Sequence, residues 1–505
     1  MMLNANNIHW EIPEAQDHLF RKHSLDNPEF LIRECRVIKE GHERGVYFHQ
    51  AGGFYVKRMR TRKARKEWRN WIKLFEKGLP TITPIAIGVA RNCAYLVSVA
   101  HDDYAPLNTI FDTQGYKERL QVLEGLGEVV RNMHKAGFYH RDLHGGNFIF
   151  RSDGRAFDLK MADFQRGCFR KITFSRRLRD LADLALSHFF HVGIKEQLAF
   201  LTGYLGSRQE AKTFIRQRGK RLELLILKRA SLVADRKVRK SRTVNKYFDR
   251  LNLQGGRYRG VYLRKNRDLI PEAFLSLPLD FIYRKEVGVL KDSRSVRVVR
   301  YQDVCVKYYK RREPKDLFKS LLGLSKGKKS FRWALAMIYR FIATPEPLCY
   351  LEGLGGDSFY LSRFVDGARN LVIYLREVPE EKRKACLQSL AIFLNRMFYR
   401  GVYHMDLKGS NILVRDDGSE FEFYLIDTDE IAIFWKGSPA LLKKSLLRIT
   451  RTLVPYFGLQ ELVGFVNACL PAPSARPLPQ SPQDLVDRAF KIQANEQNYD
   501  CTQRC

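Results

Sequence analysis

Apolar residues fall into two patterns along the chain, and the two follow each other in the same order twice. Gly45-Val-Tyr-Phe48 and Gly53-Phe-Tyr-Val-Lys57, rich in β-branched and aromatic residues, predict antiparallel strands. Ser295-Val-Arg-Val-Val-Arg300 and Val304-Cys-Val-Lys307 predict their counterparts further on. Helical spacing comes next in each half. Leu120, Leu123, Leu126, Val130 and Met133 make one apolar face that Gly137 ends. Pro379 with Glu380 and Glu381 opens a second, which Leu387, Leu390, Leu394 and Met397 continue and Gly401 ends. Strands followed by helices, twice over, predict an α+β protein of two tandem bilobal domains, each an antiparallel-sheet lobe and a mostly helical lobe.

The halves are also alike residue by residue. Gly137-Phe-Tyr-His-Arg-Asp-Leu-His-Gly-Gly-Asn147 returns as Gly401-Val-Tyr-His-Met-Asp-Leu-Lys-Gly-Ser-Asn411, at a constant offset of 264 residues that also relates Asp163 to Asp427. A period that long means a duplicated domain, since solenoid repeats run ~20–50 residues. The segments Pro80–Pro84 and Ala343–Pro347 repeat a Thr-Pro element, shifted by one. The boundaries expected on this reading are an N-terminal extension over 1–24, domain one over 25–235, a basic connector over 236–275, domain two over 276–470 and a flexible tail over 471–505.

A length of 505 residues exceeds one ordinary core, and 45% hydrophobic residues suffice for two. The formal net charge of +33 speaks of partners, not fold: nucleic acid, an anionic membrane surface or a phosphorylated glycolipid. No zinc, RRM or helix-turn-helix signature is present, so nucleic acid is not the expected partner. The nine cysteines have no metal spacing and read as reduced thiols of a cytosolic protein. Neither a signal peptide nor a transmembrane run is expected.

The repeated segment carries the chemistry of phosphoryl transfer, which needs metal ligands, a cation on the phosphates and a carboxylate to steer the acceptor hydroxyl. Asp142 can accept the hydroxyl proton, while Asn147 and Asp163 offer the hard oxygens that Mg²⁺ takes. Asp406, Asn411 and Asp427 repeat the set. Lys57 and Lys307 each close a strand from which they can reach phosphates, and Glu67 on a helical stretch can orient Lys57. His140 and His404 are read as scaffold.

The order strand-Lys, helix-Glu, His-x-Asp, Asn, Asp resembles the protein-kinase superfamily. Tyr139-His-Arg-Asp-Leu-His-Gly-Gly-Asn147, together with Lys66-Glu-Trp68 and Gly78-Leu-Pro-Thr-Ile-Thr-Pro84, looks more like lipopolysaccharide core kinases of the Kdo/WaaP type. That resemblance implies two protein-kinase-like domains that use ATP and Mg²⁺ to phosphorylate a heptose or Kdo hydroxyl on the lipid A-linked core. It also implies work at the cytoplasmic face of the inner membrane. Lys408, two residues after Asp406, resembles the protein-kinase lysine that touches the transferred phosphate; copy one has His144 there. The Gly-rich phosphate loop is missing: Gly41, Gly45 and Gly288 stand in loose order.

The copies differ. Ser330 aligns with Glu67, so copy two lacks the helix carboxylate, with Glu313 the nearest acidic residue past Lys307. Asp180 can brace the catalytic loop, and Lys444 stands at its place in copy two. Copy one is therefore expected to be the better catalyst, with copy two binding nucleotide. Two other readings stay open: a protein Ser/Thr/Tyr kinase, which Lys408 favours, and a nucleotide-binding pseudokinase scaffold at the membrane surface.

Overall fold

A computed structural model describes residues 2–5, 8–22, 25, 32–41, 44–152, 157–186, 193–311, 324–418, 420–471 and 481–502. The chain divides into two compact units, Met1–Arg229 and Ala230–Cys505, each a mixture of helix and antiparallel sheet.

The first unit's main sheet has seven strands, in the spatial order Met2–Ala5, Ile8–Glu11, Pro84–Val89, Ala94–Val99, Phe54–Met59, Arg44–His49 and Arg36–Gly41. All six pairings are antiparallel. The helix Thr61–Glu76 follows the strand that ends in Met59 and buries Ala64, Trp68, Trp71 and Leu74. Its three- and four-residue spacing keeps those residues on one stripe. The predicted apolar face becomes the helix Tyr116–Lys135, and Gly137 beyond it has φ 81°, a backbone state that glycine adopts without strain.

The second unit repeats this plan. Its seven-stranded sheet runs Phe248–Leu253, Tyr258–Leu263, Pro347–Gly353, Ser358–Arg363, Val304–Tyr309, Val296–Tyr301 and Gly288–Asp292. The helices Lys326–Ile338 and Glu380–Tyr399 stand where Thr61–Glu76 and Tyr116–Lys135 stand in the first unit. Gly401 closes the second of these at φ 68°, and a Cβ there would meet the carbonyl oxygen of Phe434 at 2.2 Å.

In both units the Thr-Pro element stitches the sheet to the segment that ends in the last aspartate of the motif. Met161 N–H donates to the Pro80 carbonyl at 2.8 Å and Ile82 N–H to the Met161 carbonyl at 2.9 Å. In the second unit Leu425 N–H donates to the Ala343 carbonyl at 3.1 Å, and the Thr344 hydroxyl to the Leu425 carbonyl at 2.7 Å.

Three boundary expectations differ from the structure. The stretch 236–275, expected as a basic connector, supplies the two outer strands of the second sheet. Its basic residues Arg250 and Arg259 point outward, while Phe248, Leu251, Val261 and Leu263 are buried. Burial along these two strands does not follow a strict two-residue alternation, so exposed arginines sit among buried apolar neighbours. The segment 471–505, expected as a flexible tail, contains the helix Pro482–Thr502, whose Leu485, Val486 and Ala489 are buried in the second unit's core. Four apolar side chains, with Phe490, recur there at helical spacing inside a polar composition. The stretch 1–24 is likewise built in: Trp10 is fully buried and its strand pairs with Pro84–Val89.

Candidate active site

In the first unit, strand and helix bring Lys57 and Glu67 face to face. Lys57 Nζ donates to both Glu67 oxygens, at 2.6 and 2.8 Å, and stands 3.6 Å from Asp163 Oδ1. Burial raises the Glu67 carboxyl above its ordinary range, and Lys57 acts against that rise. A carboxylate this buried is tolerated because its charge is matched at hydrogen-bond distance.

The helix that bears Glu67 also holds the loop that bears Asp163. Asn70 Nδ2 donates to the carbonyls of Phe164 at 2.9 Å and Gly167 at 3.0 Å, and Trp71 packs on Phe164 with ring centroids 6.2 Å apart. Asp163 has φ 59°, a left-handed turn that aims its side chain away from the strand direction. Burial pushes its carboxyl up, but Lys57 and Arg44 together hold it below the ordinary value. Arg44 Nη2 lies 3.2 Å from Asp163 Oδ2.

Asn147 sits beside this aspartate because Ala162 N–H donates to the Asn147 carbonyl at 2.8 Å. Its Nδ2 donates to the Asp142 carbonyl at 2.8 Å, which leaves the amide oxygen as the group that can face a cation. Asp142 Oδ1 accepts from Arg166 Nη1 at 3.0 Å. Fully buried Asp180 braces the loop. It accepts from the backbone N–H of His140 and of Arg141, both at 2.9 Å, and pairs with His134 Nε2 at 3.2 Å. Arg141 is held at φ 68° by this arrangement. His140 is buried, and burial lowers its pKa, which suits a neutral scaffold ring.

The second unit brings the same residue types together differently. Asp427 has φ 57° and Ile426 N–H donates to the Asn411 carbonyl at 3.0 Å, so Asn411 and Asp427 are placed as Asn147 and Asp163 are. Asn411 Nδ2 donates to the Asp406 carbonyl at 2.8 Å. Lys307 Nζ, however, lies 2.5 Å from Asp427 Oδ1 and 3.7 Å from Asp429 Oδ1. Ser330 shares a 2.7 Å hydrogen bond with the Tyr309 hydroxyl, which donates to Asp429 Oδ1 at 3.2 Å. Burial acts to lower the Lys307 pKa, but Tyr309, Asp429 and Asp427 more than reverse it.

Lys408 Nζ is 2.9 Å from Asp406 Oδ2, and Arg448 bonds Asp406 Oδ1. Burial raises the Asp406 carboxyl, and Lys408 with Arg448 brings it below the ordinary value. No aspartate braces this loop from the next helix. Ser445 donates to the His404 carbonyl at 3.1 Å, and Met405 N–H to the Glu430 carbonyl at 2.7 Å.

Asp429, Arg166, Arg448 and Arg44 are among the site residues that escaped the sequence reading. Glu313, the carboxylate that reading offered to Lys307, lies outside the described residues, whereas Asp429 is in contact. The signal was present: at the 264 offset Asp429 stands opposite Gln165, an acidic gain where copy two has its acidic loss. Arg166 and Arg448, which engage the two loop aspartates, come from non-equivalent elements and leave no mark in an internal comparison.

Comparison with known proteins adds the following. The model of the lipopolysaccharide kinase (Kdo/WaaP) family matches residues 52–204 and 285–451, one segment in each unit. The lipopolysaccharide core heptose(I) kinase WaaP of Pseudomonas aeruginosa is 29% identical over 199 residues, covering 34% of this chain and 73% of that protein. A solved structure of WaaP in complex with acyl carrier protein aligns with 24% identity and a TM-score of 0.34, over 42% of this chain and 93% of that one.

Proposed function

The chain belongs to the lipopolysaccharide kinase (Kdo/WaaP) family, and from that premise we propose that it phosphorylates a heptose or Kdo hydroxyl of the lipopolysaccharide core, with ATP as donor and the first unit as catalyst. It is a phosphotransferase whose acceptor is a sugar hydroxyl. The observation that carries the mechanism is the convergence of Lys57, Glu67 and Asp163 next to the Asn147–Asp142 loop. We read each unit as bilobal, with the sheet and its helix above the site and the loop aspartates below it.

On this reading Asp142 accepts the proton of the acceptor hydroxyl as that oxygen forms its bond to the terminal phosphorus. The bond from that phosphorus to the bridging oxygen breaks, and ADP leaves. Lys57, fixed by Glu67, holds the donor's phosphates so that no reorganisation is needed as charge moves to the leaving oxygen. The side chains of Asn147 and Asp163 suit Mg²⁺, one a neutral and one an ionised oxygen donor, and that ion when bound neutralises phosphate charge. Removing the ionised ligand should be decisive. Asp163→Ala should lower phosphate transfer to purified core oligosaccharide at least about a thousandfold. Wild-type turnover would refute the first unit as catalyst.

The second unit is read as a nucleotide-binding partner domain, with Lys307, Asn411 and Asp427 toward the nucleotide and Lys408 toward its terminal phosphate. Asp429 then takes the place of the absent helix carboxylate. In a full-length Asp163→Ala background, Asp429→Asn should weaken the remaining ATP site about tenfold by calorimetric titration, as expected for one lost charged contact. An unchanged affinity would make Asp429 a packing residue only. No helix among the described residues is long and apolar enough to cross a membrane. A surface of +33 net charge supports peripheral docking to anionic lipid at the cytoplasmic face of the inner membrane, beside the core sugars.

A further inference from the structure

The expected Gly-rich phosphate loop is missing from both copies, so something else must meet the donor's phosphates from the sheet side. In the first unit the strand Arg44–His49 pairs with the strand of Lys57, Val46 lying opposite Lys57. Arg44, two residues earlier, shares the sheet face of Val46 and hence of Lys57, because side chains alternate along a strand. Its guanidinium reaches the site, with Nη2 3.2 Å from Asp163 Oδ2. Its Nε is buried with no hydrogen-bond partner among the described residues. Five N–H groups in a planar fork on a side chain that is partly open to solvent, one of them buried and unspent, are suited to bidentate recognition of an anion.

The second unit supplies the internal comparison. There Val298 lies opposite Lys307, so the residue in register with Arg44 is Val296. Val296 packs against the apolar group that contains Tyr309 and Phe331. The two units thus have matching strand lysines, matching loop asparagines and matching loop aspartates, but only the first has an arginine at this register. The equivalence is invisible to the 264-residue offset, since these strands precede a length difference between the copies.

Resting on the kinase reading above, we propose that Arg44 is a donor-phosphate-binding residue that stands in for the Gly-rich loop of the first unit. Before the nucleotide enters, Arg44 is parked on Asp163. Once that carboxylate turns to the cation that accompanies the triphosphate, the fork is free to take phosphate oxygens. The second unit has Val296 at this register, and the sheet cation that acts on Asp427 beside Lys307 is Lys291, one strand further out.

The test is nucleotide binding by the full-length chain with its second unit silenced by Lys307→Met, titrated with ATP and, separately, with adenosine. Arg44→Ala should weaken ATP about tenfold or more and leave adenosine unchanged, and Arg44→Lys should recover part of the loss, since it keeps the charge but not the fork. Equal weakening of both ligands would mean a general disturbance of the sheet and overturn the proposal. Unchanged ATP affinity would overturn it as well. If the Lys307→Met parent itself binds no ATP, the kinase reading of the first unit fails and the role of Arg44 fails with it.

Discussion

Asp142→Ala should eliminate nearly all core phosphorylation by the full-length protein, whereas Asp406→Ala should leave most of it, with phosphate content of purified core oligosaccharide as the measurement. Loss of a positioned general base costs on the order of 10²–10⁴-fold. That cost falls only on a unit that is turning over. In the first unit the carboxylate accepts a hydrogen bond from Arg166, and the strand lysine is held by a buried glutamate. In the second, Lys408 and Arg448 both engage Asp406 and depress its basicity, and Lys307 is drawn onto Asp427. Each ~1.36 kcal/mol of lost transition-state stabilisation slows transfer about tenfold, so modest misplacement of two groups is enough to separate the units. A dead Asp406→Ala beside a live Asp142→Ala would reverse the assignment.

Asp180→Ala should be the most damaging single change to the stability of the first unit. The carboxylate is fully buried and satisfies two backbone N–H groups and His134, whose other ring nitrogen lies 2.9 Å from the Tyr204 hydroxyl. Truncation leaves three polar groups without a partner in the interior, and roughly 3–5 kcal/mol of unfolding free energy should go with them. Denaturant unfolding should show the first unit's transition moved to lower concentration and the second unit's unmoved, since Lys444 stands at the corresponding position there. Asp180→Asn should fall between the two, keeping one acceptor. An Ala variant that unfolds like the parent would show that the loop is held by other means.

Elements of strong periodicity were legible without coordinates. The helices ended by Gly137 and Gly401, the paired strands around Lys57 and Lys307, and the loop residues from Asp142 to Asn147 all follow from local patterns. What escaped notice were residues whose role comes from partners distant in sequence. Asp429 acquires its place only because Tyr309 and Lys307, 120 and 122 positions earlier, meet it across the fold. The connector and tail were misjudged for a different reason. Their composition is basic or polar on average, and averaging hides the few buried apolar side chains within each. Register likewise decided that Arg44 and Val296 correspond, a relation that no fixed offset along the chain contains.

The two hydrogen bonds from Asn70 to the Phe164 and Gly167 carbonyls bear on control. Swinging the Glu67-bearing helix outward would separate Lys57 from its carboxylate. Here that swing would tear a buried amide from two carbonyls at once, and each group left unpaired costs about 1–3 kcal/mol. The helix and the Asp163 loop are therefore tied together. The second unit has its own rivet, the Thr428 hydroxyl on the Ser330 carbonyl at 3.0 Å. In the first unit, parting Glu67 from Lys57 has to carry the Asp163 loop along with the helix.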